Sequence, residues 1–540
     1  MPCNTIKKSF IIKLLLFLCK PSISKCKKDQ RKECIKEYQR THLSNTLASE
    51  VKQCSIDREG VIVFQRGYLG RGRDSYMLSN FYLGFSFLII LLYSLSSCKK
   101  FVTIDPPPTQ LVNSTVYGND ASAISAMSSV YTRFAVSDSY LYSMYLGYSS
   151  DEFNNTSSNA NDIQFYTNGL QSSNTVVGLL WSDPYKYIYQ ANAVLEGVGN
   201  SATVSTKVRN QLTGEAKFIR AFLYFYLVNC YGDVPLVTST DYNVNALASK
   251  QVQSSIYQQI LADLKDAEML LSATYIAGDV VSPSSEKLRP TKAAARALLA
   301  RVYLYMSDMP NAEAYATAVI SSNIYSLVTA DLTKVFAKNS SEAIWQISTS
   351  STFNTYEGFY FVATTTPKNV SLSTSLLGAF EALDKRRTNW VGTVTVGTNT
   401  YLFPYKYRVQ NSTTVSEYTM ILRYAELFLI RAEAYAGQNK LTQAIADINV
   451  IRSRAGITPL ASTLNQAQVL AAIEQERRIE LFSEWGDRWV NLKRTGRLDA
   501  IMAPAAIQKG GSWNSNYKNF PIPISELNAD PNLKQNDGYN

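Results

Sequence analysis

Apolar residues recur at three- and four-residue intervals over most of residues 120–495, the spacing of helices that bury one face. A first helix is predicted from Asp120, which can cap Ala121 onward, with Met127, Val130 and Phe134 on its inner stripe. Residues 149–173 are polar and rich in Asn and Ser, and predict a loop. Leu180, Trp181, Tyr185, Ile188, Ala191 and Leu195 then mark a helix. Another runs from about Ser205 to Tyr231, where Gly232 and Pro235 end it. Further helices are predicted over 252–272, 291–307, 310–322, 417–437, 441–455 and 464–495. Between 323 and 416 the pattern changes to Thr-, Val- and Tyr-rich segments with Gly turns, which predict irregular structure with short strands or hairpins. The tail, with Pro521, Pro523 and Pro531, is expected to be extended and to pack back on the body.

Two segments, 295–320 and 425–450, align without gaps at an offset of 130 residues. Arg301 and Arg431 hold the same place in them, and a partial third copy surrounds Arg220. Each full copy reads as helix, short polar turn, helix, with small residues where the helices must approach. That is the tetratricopeptide pattern, whose helix pairs bury their apolar faces only by stacking. The fold class expected is mainly α: a scaffold of helix pairs, at about 205–325 and 417–495, with a loop-rich face and a few short strands. The repeated arginines are read as structural, stem packed and head paired.

An uncharged run separates Tyr76 from Lys99 and ends in Leu95-Ser-Ser-Cys98. It has the length of a signal-peptide apolar region followed by two small residues and a cysteine. This resembles the lipobox of a bacterial lipoprotein, and implies cleavage before Cys98 and lipid on that cysteine. Two or three acyl chains make a stable anchor where one would not, at about 0.8 kcal/mol per buried methylene. The domain reading follows: 1–76 a spurious or unstructured extension, 77–97 a signal peptide, 98–110 the lipidated cysteine and a Pro-rich tether, 111–540 the body. Translation is expected to start near Met77, although only a start that keeps Arg71 and Arg73 supplies a basic region before the apolar run.

The formal charge of +10 changes little in this picture. Residues 1–76 carry 16 Lys and Arg against 7 Asp and Glu, so the body is near neutral and gives no argument for nucleic acid. The only histidine, His42, and five of the seven cysteines also lie before residue 77. The body therefore lacks Ser-His-Asp and Cys-His catalysis, and Cys230 has no internal disulfide partner. No metal or cofactor is implied. Tyrosine is abundant, with 30 of 35 after Cys98, and suits recognition surfaces.

Five further segments, in order, resemble the SusD/RagB family of outer-membrane nutrient-binding lipoproteins. They are Ser97 to Pro107, Gly214 to Leu236, Leu429 to Gly456, Glu476 to Arg494 and Pro521 to Tyr539. The resemblance implies a SusD-like fold on a surface-exposed lipoprotein, acting as a lid on a SusC-like TonB-dependent outer-membrane barrel. It implies capture of an oligosaccharide, or of a peptide as in the RagB-like members, with no covalent chemistry. A helical-repeat scaffold that binds only protein is the alternative.

Glu476, Glu480 and Glu484 share a predicted helix face, with Arg477, Arg478 and Arg488 as the expected ion-pair partners. Asp151 and Glu152 lie in a polar loop, but adjacent acids in extended chain point to opposite sides. No enzyme is expected. Sugar binding needs flat aromatic faces with planar hydrogen-bonding groups beside them. The candidates are Tyr145, Asp151, Asn154, Asn155, Tyr166, Tyr356, Tyr360 and Trp390, with Phe353 and Trp513 beside them. Trp181, Trp345 and Trp489 are read as core.

Overall fold

The computed structural model describes residues 113–137, 139–349 and 353–539, together with 55–56 and 62–63. The expected extension, signal segment, Cys98 and tether therefore lie outside the described residues, apart from those two residue pairs. Backbone contacts divide the chain into two units, Met1–Asp105 and Pro106–Asn540. In the first, Ser55–Ile56 pairs antiparallel with Ile62–Val63. The second carries the helical body.

Its order is α1 (Asp120–Ser137), β1 (Phe153–Asn155), α2 (Ala160–Tyr166), α3 (Thr175–Asn200), α4 (Thr206–Tyr231), α5 (Gln253–Leu270), α6 (Lys292–Tyr305) and α7 (Met309–Ile320). Then come β2 (Ala343–Ile347), α8 (Tyr356–Phe361), β3 (Val370–Leu372), α9 (Lys385–Trp390), β4 (Val391–Val396), β5 (Asn399–Pro404) and β6 (Thr419–Arg423). The chain closes with α10 (Tyr424–Gly437), α11 (Leu441–Ala455), α12 (Gln466–Leu481), α13 (Asp487–Arg494) and α14 (Leu498–Gln508). Among the described residues no helix is long and apolar enough to cross a membrane.

The scaffold is a row of antiparallel neighbours: α3 on α4, α4 on α5, α5 on α6, α6 on α7, α7 on α10, and α10 on α11 and α12. The two repeat copies are the pairs α6–α7 and α10–α11, brought side by side although a hundred residues intervene. Their arginines are paired, as are those of the partial copy. Arg220 makes two bonds to Asp263 of 2.7 and 2.8 Å, Arg301 two to Glu426 of 2.6 and 2.8 Å, and Arg431 two to Asp447 of 2.7 and 2.8 Å. Trp181, Trp345 and Trp489 are buried. The Trp345 indole donates to the Leu288 carbonyl at 3.0 Å and meets the edges or faces of Tyr131, Phe218 and Phe222.

Several boundaries differ from expectation. Asn119 caps α1, accepting from the Ser122 N–H at 2.9 Å, while the Asp120 carboxylate instead receives the Ser205 N–H and hydroxyl at 2.7 Å and joins the starts of α1 and α4. The polar stretch 149–173 is not all loop: it forms β1, paired with β3, and α2, capped by Asn159. Residues 419–423 are strand β6, antiparallel to β2, rather than the first turn of α10. All five are buried, so they carry no one-sided period to distinguish strand from helix.

The helix expected over 464–495 is broken between α12 and α13. Ser483, Trp485 and Gly486 have φ of 56°, 51° and 67°, and the turn drives Trp485 in among Phe134, Tyr142, Phe222 and Tyr226. A Cβ at Gly486 would lie 2.4 Å from Leu146. The tail contains α14 and a short helix, Ile524–Ala529, and does pack back. Phe520 and Ile522 are fully buried, and Asn536 donates to the carbonyls of Tyr231 and Phe520 at 2.7 and 2.8 Å.

Candidate functional site

The loop-rich face is built where α8, the β1–β3 pair, the β4–β5 hairpin and the segment after α1 meet. Thr355 caps α8, its hydroxyl accepting from the Gly358 N–H at 3.0 Å. Residues four apart on a helix lie on one side, and Tyr356 and Tyr360 stack there with ring centres 6.4 Å apart at 20°. Tyr140 joins them, 5.7 Å from Tyr356 at 24° and 4.2 Å from Tyr360 at 18°. Phe353 meets Tyr356 edge-on and stacks on Phe359 at 4.7 Å. Each of these five rings is half-buried, so the cluster is anchored yet reaches the surface.

The α8 helix is seated by close backbone approach. A Cβ at Gly358 would lie 2.3 Å from the Val409 carbonyl oxygen, so only glycine lets the helix rest on that segment. Beneath it, the Glu357 side chain is buried, accepts from the Thr419 hydroxyl at 3.0 Å, and is pushed by burial up to about 7. Phe361 anchors the helix end against Phe153 of β1, ring centres 5.8 Å apart. An open cleft of about 590 Å³ runs between Val362–Thr364, the hairpin and residues 408–412. That volume lies in the range of small-ligand sites, roughly 300–1,000 Å³. Tyr405, Gln410, Asn411, Thr393 and Arg408 are among its lining residues; the Gln410 amide donates to the Val362 carbonyl at 3.2 Å and the Arg408 guanidinium to the Asn389 carbonyl at 2.7 Å.

Of the residues singled out from sequence, Tyr356 and Tyr360 fall together in this cluster, with Phe353. Asn154 and Asn155 lie on β1, half-buried. The Asn154 amide donates to the Leu372 carbonyl at 3.3 Å, and the Asn155 amide to that of Ser157 at 3.1 Å. Tyr166 is half-buried on α2, with the Lys509 ammonium 5.3 Å from its ring centre. Trp513 is half-buried near the tail, and its indole donates to Asp499 at 2.7 Å.

The other three are turned inward. Trp390 is fully buried between Phe336 and Lys406, its indole donating to the Leu332 carbonyl at 3.0 Å, so it offers no face to a ligand. Its helix is capped by Asp384 and carries Arg386, which is buried on Asp384, Glu476 and Glu480. Tyr145 is buried and donates to Asp162 at 2.9 Å. Asp151 is buried and held by Arg488 at 2.7 Å and Arg478 at 2.7 Å. Burial raises its carboxyl, but those two guanidiniums outweigh the effect and leave it below the ordinary value. Glu152 beside it is pushed up to about 8 by burial and the Asp151 charge.

The carboxylates of the broken helix are ion-paired, though with partners other than Arg477, Arg478 and Arg488. Glu476 meets Arg386 at 2.5 Å and Arg452 at 3.2 Å; Glu480 meets Arg423 at 2.6 Å, Arg386 at 3.0 Å, and Arg454. Glu484 lies past the end of α12, against Lys406 at 2.5 Å and Arg423 at 2.7 Å. Burial alone raises the Glu480 carboxyl, and the charges of Arg454, Arg423 and Arg386 override it and hold it well below the carboxylate range. Arg477 serves Asp487 and Glu426 instead.

Sequence reasoning missed Tyr140, Phe359, Tyr405 and Arg408. Phe359 belongs to the same aromatic stretch as Phe353 and was within reach. The others come from distant segments, and nothing local marks them.

A family profile described as "Starch-binding associating with outer membrane" (SusD-like) matches residues 110–304, and one described as "SusD family" matches 388–539. SusD-like protein P2 of Formosa agariphila is 27% identical over 448 residues, covering 71% of this chain and 84% of that protein. The starch-binding protein SusD of Bacteroides thetaiotaomicron is 33% identical over 124 residues, 22% of this chain and 21% of that one. A crystal structure of a SusD superfamily protein from Bacteroides vulgatus superimposes with a TM-score of 0.69 at 22% identity, covering 78% of this chain and all of the other. That likeness shows the helix-rich fold.

Proposed function

The chain belongs to the SusD/RagB family, and from that premise we propose that it binds an oligomeric carbohydrate at the outer membrane and delivers it to a SusC-type TonB-dependent barrel. The observation that carries this reading is the near-parallel set of Tyr140, Tyr356 and Tyr360 on a half-exposed face. A tyrosine ring covers the apolar C–H side of a pyranose, and neighbouring amides take up its hydroxyls. Here the amides are those of Asn154 and Asn155 on one side, and of Gln410 and Asn411 in the cleft. The description of the matched profile and the starch-binding relative support the ligand class.

The carboxylates near the face are committed to the fold: Asp151 to two arginines, Glu357 to a buried bond with Thr419. This supports binding without turnover. Cys98, placed after an apolar run and two serines, is the proposed lipid attachment point. The test is calorimetric titration of the full chain with oligosaccharide pools, followed by chromatography of the recovered ligand. Saturable heat with intact ligand is the expected result. Cleaved ligand sinks the binding-only reading, and absence of binding to every pool sinks the carbohydrate reading.

A further inference from the structure

Large apolar side chains are exposed at eighteen of the described positions, and most stand singly, which is ordinary for a protein surface. Four of them fall within eleven residues: Tyr242 is 79% exposed, Val244 63%, Leu247 58% and Val252 57%. They belong to an excursion of the chain between α4 and α5, closed at its base where Val234–Pro235 pairs antiparallel with Lys250–Gln251. No residue from Leu236 to Ser255 is buried. The side chains are unpacked, yet the backbone is held. Asp241 accepts the Asn243 N–H at 2.9 Å and caps a one-turn helix, Tyr242–Asn245. The Asn245 amide donates to the Ser239 carbonyl at 2.8 Å, and the Asn532 amide to that of Leu247 at 3.0 Å. Charge is nearly absent: from Leu236 to Ser255 only Asp241 and Lys250 carry one, and the Lys250 ammonium is turned onto Asn536 at 2.9 Å.

The place of this excursion in the body says what covers it. Glu196, near the end of α3, accepts the Thr240 N–H at 2.8 Å and also the Thr240 hydroxyl. The next residue, Gly197, lies against Tyr117, where an added Cβ would come within 2.1 Å of the ring. The Ser201 hydroxyl donates to the Tyr117 carbonyl at 2.7 Å. The excursion and the start of the described body are thus fastened to the same turn of α3. Cys98 precedes Asn113 by fifteen residues, a reach of at most about 50 Å. Lipid on Cys98 therefore keeps this end of the body near the bilayer. A tyrosine and aliphatic side chains with little charge suit the boundary between headgroups and acyl chains. Four side chains on one excursion fall well short of the roughly 20–30 residues a side of a stable protein interface.

Resting on the lipid-anchor reading of Cys98, we infer that Tyr242, Val244 and Leu247 enter the headgroup–acyl boundary of the bilayer, a second contact that seats the anchored end of the body on the membrane. The lipid supplies the hold. The excursion supplies the orientation, so that the body stands on the membrane at a fixed attitude.

The test uses the full chain, expressed with its own leader, recovered from the membrane fraction and reconstituted in vesicles of phosphatidylethanolamine and phosphatidylglycerol without a barrel. Nitroxide spin labels are placed one at a time on Val244→Cys, Leu247→Cys and, as the control, Leu383→Cys. Leu383 is 90% exposed and lies beside the Asp384–Arg386 pair, which is bound to Glu476 of α12 at the other end of the helix row. Cys230 is buried, away from the label. Power saturation compares collisions with oxygen, which concentrates in lipid, against those with a water-soluble nickel chelate. The oxygen-to-nickel ratio at Val244→Cys and Leu247→Cys is expected to exceed that at Leu383→Cys by about threefold or more. Equal ratios at the three sites overturn the inference and leave the anchor reading standing. Shielding of the two excursion sites from both reagents only after a barrel is added also overturns it, and assigns the excursion to a protein partner. A parent protein that does not partition with the vesicles overturns the anchor reading itself.

Discussion

Single residues in this fold are governed by burial, and two of them make the point testable. Arg220 is buried with its guanidinium on Asp263, Asn192 completing the set at 2.7 Å. Removing one member of a buried ion pair strands the other and costs about 3–5 kcal/mol, whereas replacing both by apolar groups is often neutral. Arg220→Met is therefore expected to destabilise by that amount in urea unfolding, and Arg220→Met with Asp263→Leu to recover most of it. Glu357 makes the second. Its carboxyl rises from the ordinary value of 4.5 to about 7 in the fold, because burial disfavours the charge. The folded state then holds the proton more tightly than the unfolded one. The stability this gives is complete below pH 4.5 and is lost as pH rises through 7. Glu357→Gln is expected to remove this loss, on the order of 3 kcal/mol, so that urea midpoints at pH 5 and pH 8 differ less than in the parent. Equal pH slopes would contradict the burial account.

At the level of elements, α8 carries the tyrosines of the proposed site. Ala ordinarily replaces Gly in a helix with a gain of roughly 0.5–1 kcal/mol. At Gly358 the added carbon would meet the Val409 carbonyl oxygen at 2.3 Å, so Gly358→Ala is expected to destabilise by about 1–3 kcal/mol and to weaken carbohydrate binding by displacing α8. Thermal unfolding with a ligand titration checks both. Elements of this kind divided into legible and illegible on physical grounds. The long helix α3 and the second helices of the repeated pairs, α7 and α11, are buried on one side, so their faces could be read directly, whereas α4, α6 and α10 are buried nearly all round and were legible from their length and their place in the repeat. Strand β6 is buried on both sides and has no such period. The break before α13 rests on left-handed backbone at Ser483 and Trp485, which tertiary packing imposes and only Gly486 hints at. In the site, Tyr356 and Tyr360 could be found because they fall in an aromatic, non-periodic stretch. Tyr140 comes from more than two hundred residues away, and Trp390 gives no local sign that Asp384 and Arg386 hold its helix ring-inward. Aromatic residues in irregular chain were thus a guide to a region rather than to individual contacts.

At the scale of the whole molecule, the proposed anchor is Cys98, ahead of the α-helical body in the sequence. If Cys98 carries lipid, Cys98→Ser is expected to move the protein from the membrane fraction to the soluble fraction and to abolish labelling with radioactive palmitate; retention in the membrane would contradict that assignment. The broader claim is that the rings gathered on α8 receive a carbohydrate. It is tested most directly by titrating the parent, Tyr356→Ala and Tyr360→Ala with the best-bound oligosaccharide while following thermal unfolding of each. Loss of one stacking face is expected to weaken binding about tenfold, equivalent to about 1.4 kcal/mol, with ligand-free stability little changed. Parent-like affinity in both variants would place the ligand elsewhere and contradict the account.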